Sequence, residues 1–147
     1  MKIVATNKKA RFQYHILETY EAGIQLLGTE VKSLRNGSAS ISEAFCKFED
    51  GELFLINANI SQYSHGTHWN HDPLRKRKLL MHKRELLRIA QKVKERGLTL
   101  IPTKIYFNDK GIAKVEIALA KGKRLYDKRE DIAKRDLERR LKRRVDY

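Results

Sequence analysis

Apolar and polar positions divide the chain into short stretches of alternating character rather than long helices. Residues 1–11 carry Lys2, Lys8, Lys9 and Arg11 with no apolar period, and read as a basic leader. Residues 12–27 are rich in β-branched and aromatic side chains. They predict two strands, one around Tyr14 to Leu17 and one from Ile24 to Leu27, with Glu21-Ala22-Gly23 as the turn between them. Residues 29–35 predict one or two helical turns, with Thr29 as the cap and Val31 and Leu34 on one face. Asn36-Gly37 ends that helix, since both residues accept the left-handed backbone. Residues 45–48 and 53–60 predict a hairpin around Asp50-Gly51. Residues 61–73 are polar and predict a loop.

From about Arg75 the pattern turns helical. Leu79, Leu86, Leu87, Ala90 and Val93 form a stripe, strongest between Lys83 and Arg96, with Gly97 as the stop. Residues 98–107 are apolar and predict a strand, and Asn108-Asp109-Lys110-Gly111 predicts a turn. Ala113, Val115, Ile117 and Leu119 then alternate with Lys114, Glu116 and Ala118, the cleanest half-buried strand in the chain. The expected fold is mainly β: a closed OB-like antiparallel β-barrel of about six strands with flanking helices and a basic C-terminal tail. The barrel with its leader occupies residues 1–120 and the tail residues 121–147. In the tail, Ala133, Leu137, Leu141 and Val145 give one thin apolar line, and Glu130–Lys134, Asp131–Arg135 and Glu138–Lys142 have favourable spacing. The tail is therefore expected to be helical only conditionally, against a partner.

Charge narrows the function. Over 147 residues, 32 Lys+Arg against 18 Asp+Glu leave a net charge of +14. Solubility needs a magnitude of only about 2–8 in a small domain. The excess points to nucleic acid, an anionic membrane or an acidic protein. The N-terminus lacks the apolar stretch of a secretory signal, and no apolar run approaches the ~20 residues that span a bilayer. Cys46 is the only cysteine, so no intrachain disulfide forms and a reducing, cytoplasmic setting is expected.

Candidate chemistry is sparse. His65, His68 and His71 are spaced three apart, but Gly66, Asn70 and Pro73 favour a loop, and no second ligand cluster accompanies them. No metal or cofactor is expected. Cys46 lies in a predicted strand between Phe45 and Phe48 and reads as a small buried hydrophobe. There is no Gly-x-Ser-x-Gly, phosphate loop or paired-carboxylate motif, and no catalytic residue is assigned. The informative features are basic: Arg75, Lys76, Arg77 and Lys78, then Lys83-Arg84, then Lys121, Lys123 and Arg124. Tyr63, Trp69 and Tyr126 lie in or beside polar segments, where aromatic rings stack on bases. Binding to nucleic acid or the ribosome fits charge and layout together, and charge alone does not choose between DNA and RNA.

Seven collinear runs add specificity: Asn7-Lys8-Lys9-Ala10; Tyr20-Glu21-Ala22-Gly23-Ile24; Gly28-Thr29-Glu30-Val31-Lys32-Ser33-Leu34-Arg35; His71-Asp72-Pro73-Leu74-Arg75-Lys76-Arg77-Lys78-Leu79-Leu80; His82-Lys83-Arg84-Glu85; Ala120-Lys121-Gly122-Lys123; and Tyr126-Asp127-Lys128-Arg129. Together they resemble the bacterial SsrA-binding proteins, the small protein B family. The resemblance implies a non-enzymatic protein of trans-translation with an OB-type barrel. Such a protein binds the tRNA-like end of transfer-messenger RNA and delivers it to stalled ribosomes for tagging and rescue. It further implies RNA-binding roles for Glu21, Leu80, Asn7 and Lys114, the last a softer match because the preceding turn varies in length. Asp127, Lys128 and Arg129 would serve on the ribosome, with the tail in the vacant messenger channel against ribosomal RNA. No membrane and no small-molecule substrate are implied, and a monomer is the simpler expectation. The residues alone also admit a general single-strand binder, an RNA-processing enzyme or a ribosomal structural protein.

Overall fold

A computed structural model describes residues 1–64 and 69–123. Nine strands and three helices follow in the order β1 (Lys2–Thr6), α1 (Ala10–Gln13), β2 (Tyr14–Ile24), α2 (Gly28–Arg35), β3 (Ala39–Ser40), β4 (Phe45–Glu49), β5 (Glu52–Ile56), β6 (Asn59–Ile60), β7 (Arg77–Leu80), α3 (Lys83–Arg96), β8 (Thr99–Phe107) and β9 (Ala113–Gly122). The predicted tail lies outside the described residues.

The fold is mainly β. Six strands form a hydrogen-bonded ring in the order β8-β4-β5-β7-β2-β9, closed by β8–β9 pairing, and β1 adds to β8 outside the ring. Two joints are short: β4 meets β8 only at Cys46↔Leu100, and β2 meets β7 only at Gly23↔Leu80 and Ile24↔Leu79. The interior is apolar. Leu53, Leu55, Leu79, Ile105, Val115, Ile117 and Leu119 point inward, joined by Leu34 of α2 and Ile89 of α3. A smaller outer cluster of Ala10, Ile101, Ala118 and Ala120 lies beneath α1.

Turn chemistry behaves as the sequence predicts. Asp50 and Gly51 both take positive φ (50° and 79°) in the β4–β5 hairpin, and such turns match the strand twist. Gly97 ends α3 in the left-handed region at φ 61°, and Gly37 does so after α2 at φ 72°.

Four local expectations change. The basic leader contains a strand over Lys2–Thr6, because β1 completes the free edge of β8 from Lys2↔Phe107 to Thr6↔Lys104. Residues 12–27 form one strand, not two. β2 pairs with β9 from Tyr14↔Gly122 to Gly23↔Lys114, and the long β9 edge keeps Glu21-Ala22-Gly23 extended. α2 starts at Gly28 with Leu27 as its cap, so Thr29 does not cap it. Arg77–Leu80 is strand rather than helix: pairing with β5 at Leu53↔Leu79 and Leu55↔Arg77 imposes a two-residue period. Ile89 is the fully buried residue of α3, and Leu87 is exposed.

Candidate nucleic-acid interface

Register brings three separated segments onto one outer face. Leu80 of β7 pairs with Gly23 of β2, Gly23 with Lys114 of β9, and Lys114 with Tyr106 of β8. Paired residues point to the same side of a sheet. Leu80, Lys114 and Tyr106 therefore stand in one row across four strands, with a gap at Gly23. The next row on that face is Glu21, Glu116 and Lys104. Glu21, Gly23, Leu80 and Lys114, with Met81, His82 and Glu85, line an open groove of about 460 Å³.

Gly23 leaves room for this close approach. A Cβ there would lie 3.3 Å from the Cβ of Leu80. Without it Leu80 leans over β2, half exposed, and offers an apolar surface beside a carboxylate and an ammonium. The Tyr106 hydroxyl donates to Glu21 Oε2. Burial and the Glu21 carboxylate both push the Tyr106 hydroxyl pKa upward, so it remains a donor and fixes the carboxylate. Glu116 is held by Thr103 Oγ1 at 2.5 Å and lies 3.9 Å from Lys104 Nζ. Lys114 forms no ion pair or side-chain hydrogen bond among the described residues and is available to a phosphate. The groove combines an oriented acceptor, a cation and an apolar platform, the set that reads a base edge or 2′-hydroxyl beside its backbone.

The four residues of the basic run 75–78 do not share one environment. Arg77 is fully buried. Its Nε donates to Glu30 Oε2, its Nη1 to the Ala58 carbonyl at 2.8 Å, and its Nη2 to the Pro73 carbonyl at 3.1 Å. The two-residue strand period turns Arg77 and Leu79 inward, so the expectation that Arg77 contacts RNA is corrected. Arg75 Nη2 donates to Glu30 Oε1 at 2.6 Å. Burial pushes the Glu30 carboxyl up, but the Arg75 guanidinium, the Leu27 N–H and Arg77 more than offset this and hold it below the usual carboxylate range. Lys76 pairs with Glu49 at 2.5 Å and Lys78 with Glu52 at 2.8 Å. Both ammoniums remain at the surface, already partnered.

The other expected residues lie elsewhere. Asn7 donates from Nδ2 to the Pro102 carbonyl at 3.3 Å and lines a neighbouring cleft of about 470 Å³ with Lys8, Arg11 and Lys104. That cleft and the groove share the β2–β9–β8 face. Lys121 is exposed opposite His15, near the opposite end of β2 from the groove. Lys123 follows β9, its N–H bonded to the Gln13 carbonyl. Asp127, Lys128, Arg129 and Tyr126 lie outside the described residues, as do His65 and His68. His71 is buried, with Nδ1 2.9 Å from Thr29 Oγ1 and Nε2 2.7 Å from the Ile60 carbonyl. Among the described residues no His/Cys/Asp/Glu cluster suits a metal ion, and no helix is long and apolar enough to cross a membrane. Cys46 is buried, which pushes its thiol pKa up.

Tyr106, Gly23 and the buried Glu30 escape reading by sequence. Gly23 looks like a turn residue and Tyr106 like one more apolar position in a strand. Glu30 is indistinguishable from a solvated helix carboxylate, although its place three residues after the Leu27 cap is a capping signal.

The family model for "SmpB protein" matches residues 4–147. The chain is 63% identical over 142 residues to an SsrA-binding protein of Thermosipho melanesiensis, covering 97% of each. It is 59% identical over 143 residues to that of Moorella thermoacetica, covering 97% of this chain and 92% of the relative. A solved chain described under "tmRNA-SmpB: a journey to the center of the bacterial ribosome" is 55% identical with a TM-score of 0.69. That match covers 86% of this chain and 92% of the other.

Proposed function

The chain belongs to the SmpB family, and on that premise we propose that it binds the tRNA-like domain of transfer-messenger RNA and delivers that RNA to stalled ribosomes. The nascent peptide is then tagged and the ribosome rescued. The observation that carries this reading is the convergence of Glu21, Leu80 and Lys114 in one groove. These residues are 59 and 34 positions apart along the chain, and cross-strand pairing gathers them into one exposed acceptor, cation and apolar set. Asn7 extends the surface through the adjoining cleft, and Lys121 and Lys123 add cationic contact near the end of β9. Lys76 and Lys78 contribute long-range field rather than direct phosphate bonds, because each is already paired. Arg75 belongs chiefly to Glu30.

The protein acts by binding, not by catalysis, with no cofactor or small-molecule substrate, in the cytoplasm and as a monomer. Residues 121–147, with Asp127, Lys128 and Arg129, serve the ribosome, where a cationic helix suits a messenger channel walled by ribosomal RNA.

Competition binding at ~150 mM salt tests the reading, since non-specific phosphate contacts weaken there. The labelled ligand is the tRNA-like domain, and the competitors are bulk tRNA, single-stranded RNA and duplex DNA. Strong preference for the tRNA-like domain, reduced by Glu21→Ala, is expected. Equal displacement by every competitor with Glu21→Ala silent would mean that charge alone drives binding and would overturn this reading.

A further inference from the structure

Trp69 is the only tryptophan in the chain. At 88% exposure it is also the most exposed large hydrophobic side chain among the described residues. A free indole in water forgoes the large burial that usually keeps tryptophan inside or at an interface.

The described residues that follow it are anchored. Asn70, its neighbour, donates from Nδ2 to the Tyr63 carbonyl at 2.9 Å and accepts the Tyr63 N–H at 3.2 Å. Gln62 Nε2 donates to the His71 carbonyl at 3.1 Å. The buried His71 ring is fixed between Thr29 of α2 and the carbonyl of Ile60. The Lys32 ammonium sits 5.4 Å from the centroid of the Tyr63 ring. An exposed π-face next to an anchored segment that also carries a cation is an arrangement that suits an unpaired base and its phosphate.

Position in the fold indicates which RNA. Tyr14 pairs with Gly122 at one end of β2, and Gly23 pairs with Lys114 at the other. Nine residues of strand separate them, about 30 Å. The chain leaves β9 toward residues 124–147 at the Tyr14 end. The groove lies at the Gly23 end, where β2 runs on into α2 and Thr29 holds His71. Trp69, two residues before His71, therefore belongs to the segment held against α2, the helix into which β2 runs beyond the groove.

We propose that Trp69 is a stacking platform for an unpaired base of the same RNA that the groove grips. This rests on the RNA-binding function above. As the only tryptophan, Trp69 reports on itself through its fluorescence. Titration of the full chain with the tRNA-like domain at ~150 mM salt should quench emission, saturating with binding followed by a label on the RNA. Trp69→Ala should bind about 5- to 100-fold more weakly, and Trp69→Phe should stay within a few-fold of the wild type. Circular dichroism should show both variants folded, because the side chain is at the surface. Selective, tight binding with unchanged emission and a silent Trp69→Ala would overturn the proposal. Quenching only on addition of ribosomes would also overturn it, since the base would belong to another RNA. If the wild type shows no preference for the tRNA-like domain, the functional reading fails and the proposal with it. That outcome is recognised by Glu21→Ala being silent too.

Discussion

Replacing Arg77 with methionine tests the reassignment of that residue from the RNA surface to the interior. The change removes an ion pair to Glu30 and charge-assisted bonds to the carbonyls of Ala58 and Pro73. Each bond to a charged group is worth about 1.5–3 kcal/mol, which would sum to more than 4 kcal/mol. The sum overshoots, because methionine fills part of the volume and Glu30 keeps Arg75 and the Leu27 N–H. Removing one partner of a buried pair typically costs about 3–5 kcal/mol, a large share of the roughly 5–15 kcal/mol of a small domain. With a urea slope of about 1.5 kcal/mol/M the midpoint should fall by about 2–3 M. Circular dichroism is the suitable probe, since the lone tryptophan is already exposed in the native state. The double variant Glu30→Leu/Arg77→Met should recover at least half the loss, because no buried charge is then left unpaired. Acid should mimic the single change. Glu30 has a lowered native pKa, so its contribution is present above the usual carboxylate value of about 4.3 and is lost as pH falls through the native one. A midpoint shift below ~0.5 M, with a tenfold loss of RNA affinity, would refute the reasoning and return Arg77 to the RNA surface.

Lys114→Ala should weaken binding of the tRNA-like domain and flatten the slope of log affinity against log salt by about 0.7–0.9, the share of one phosphate contact; an unchanged slope would place Lys114 off the backbone. Gly23→Ala should leave the stability measured by urea unfolding within about 1 kcal/mol of the wild type, since strand glycine to alanine is tolerated where the backbone is extended. It should nevertheless reduce RNA affinity several-fold by displacing Leu80, and full affinity would show that the spacing there is uncritical. The Cys46 thiol, buried and with its pKa pushed up, should resist a thiol reagent at pH 8 in the native protein and react promptly in urea; rapid native labelling would contradict its burial. Deleting residues 131–147 should spare binding of the tRNA-like domain but abolish tagging, and loss of RNA binding as well would overturn the division of labour between ring and tail.

Local chemistry was legible wherever neighbouring residues decide it. Asp50-Gly51, Asn108 to Gly111 and Gly97 mark their turns and stop, because positive φ is a property of the residue itself. The alternation from Ala113 to Leu119 marks a strand, and the basic excess marks a polyanionic partner. Where long-range pairing competes with local pattern, the pattern misleads. Residues 75–82 carry a helical stripe, yet β5 offers hydrogen bonds and a core that only a strand can use. Glu21-Ala22-Gly23 has turn composition, yet β9 holds it straight. The same pairing decides the site. Sequence likeness carries Glu21, Leu80 and Lys114 forward as separate residues, but cross-strand register puts them in one row and makes Gly23 the gap that joins them. Sequence alone therefore determined the class of partner and most of the elements, because charge and turn preference are local and additive. Only the tertiary structure decided which cations face the RNA, because strand period and buried pairing turn Arg77 inward and leave Lys114 free.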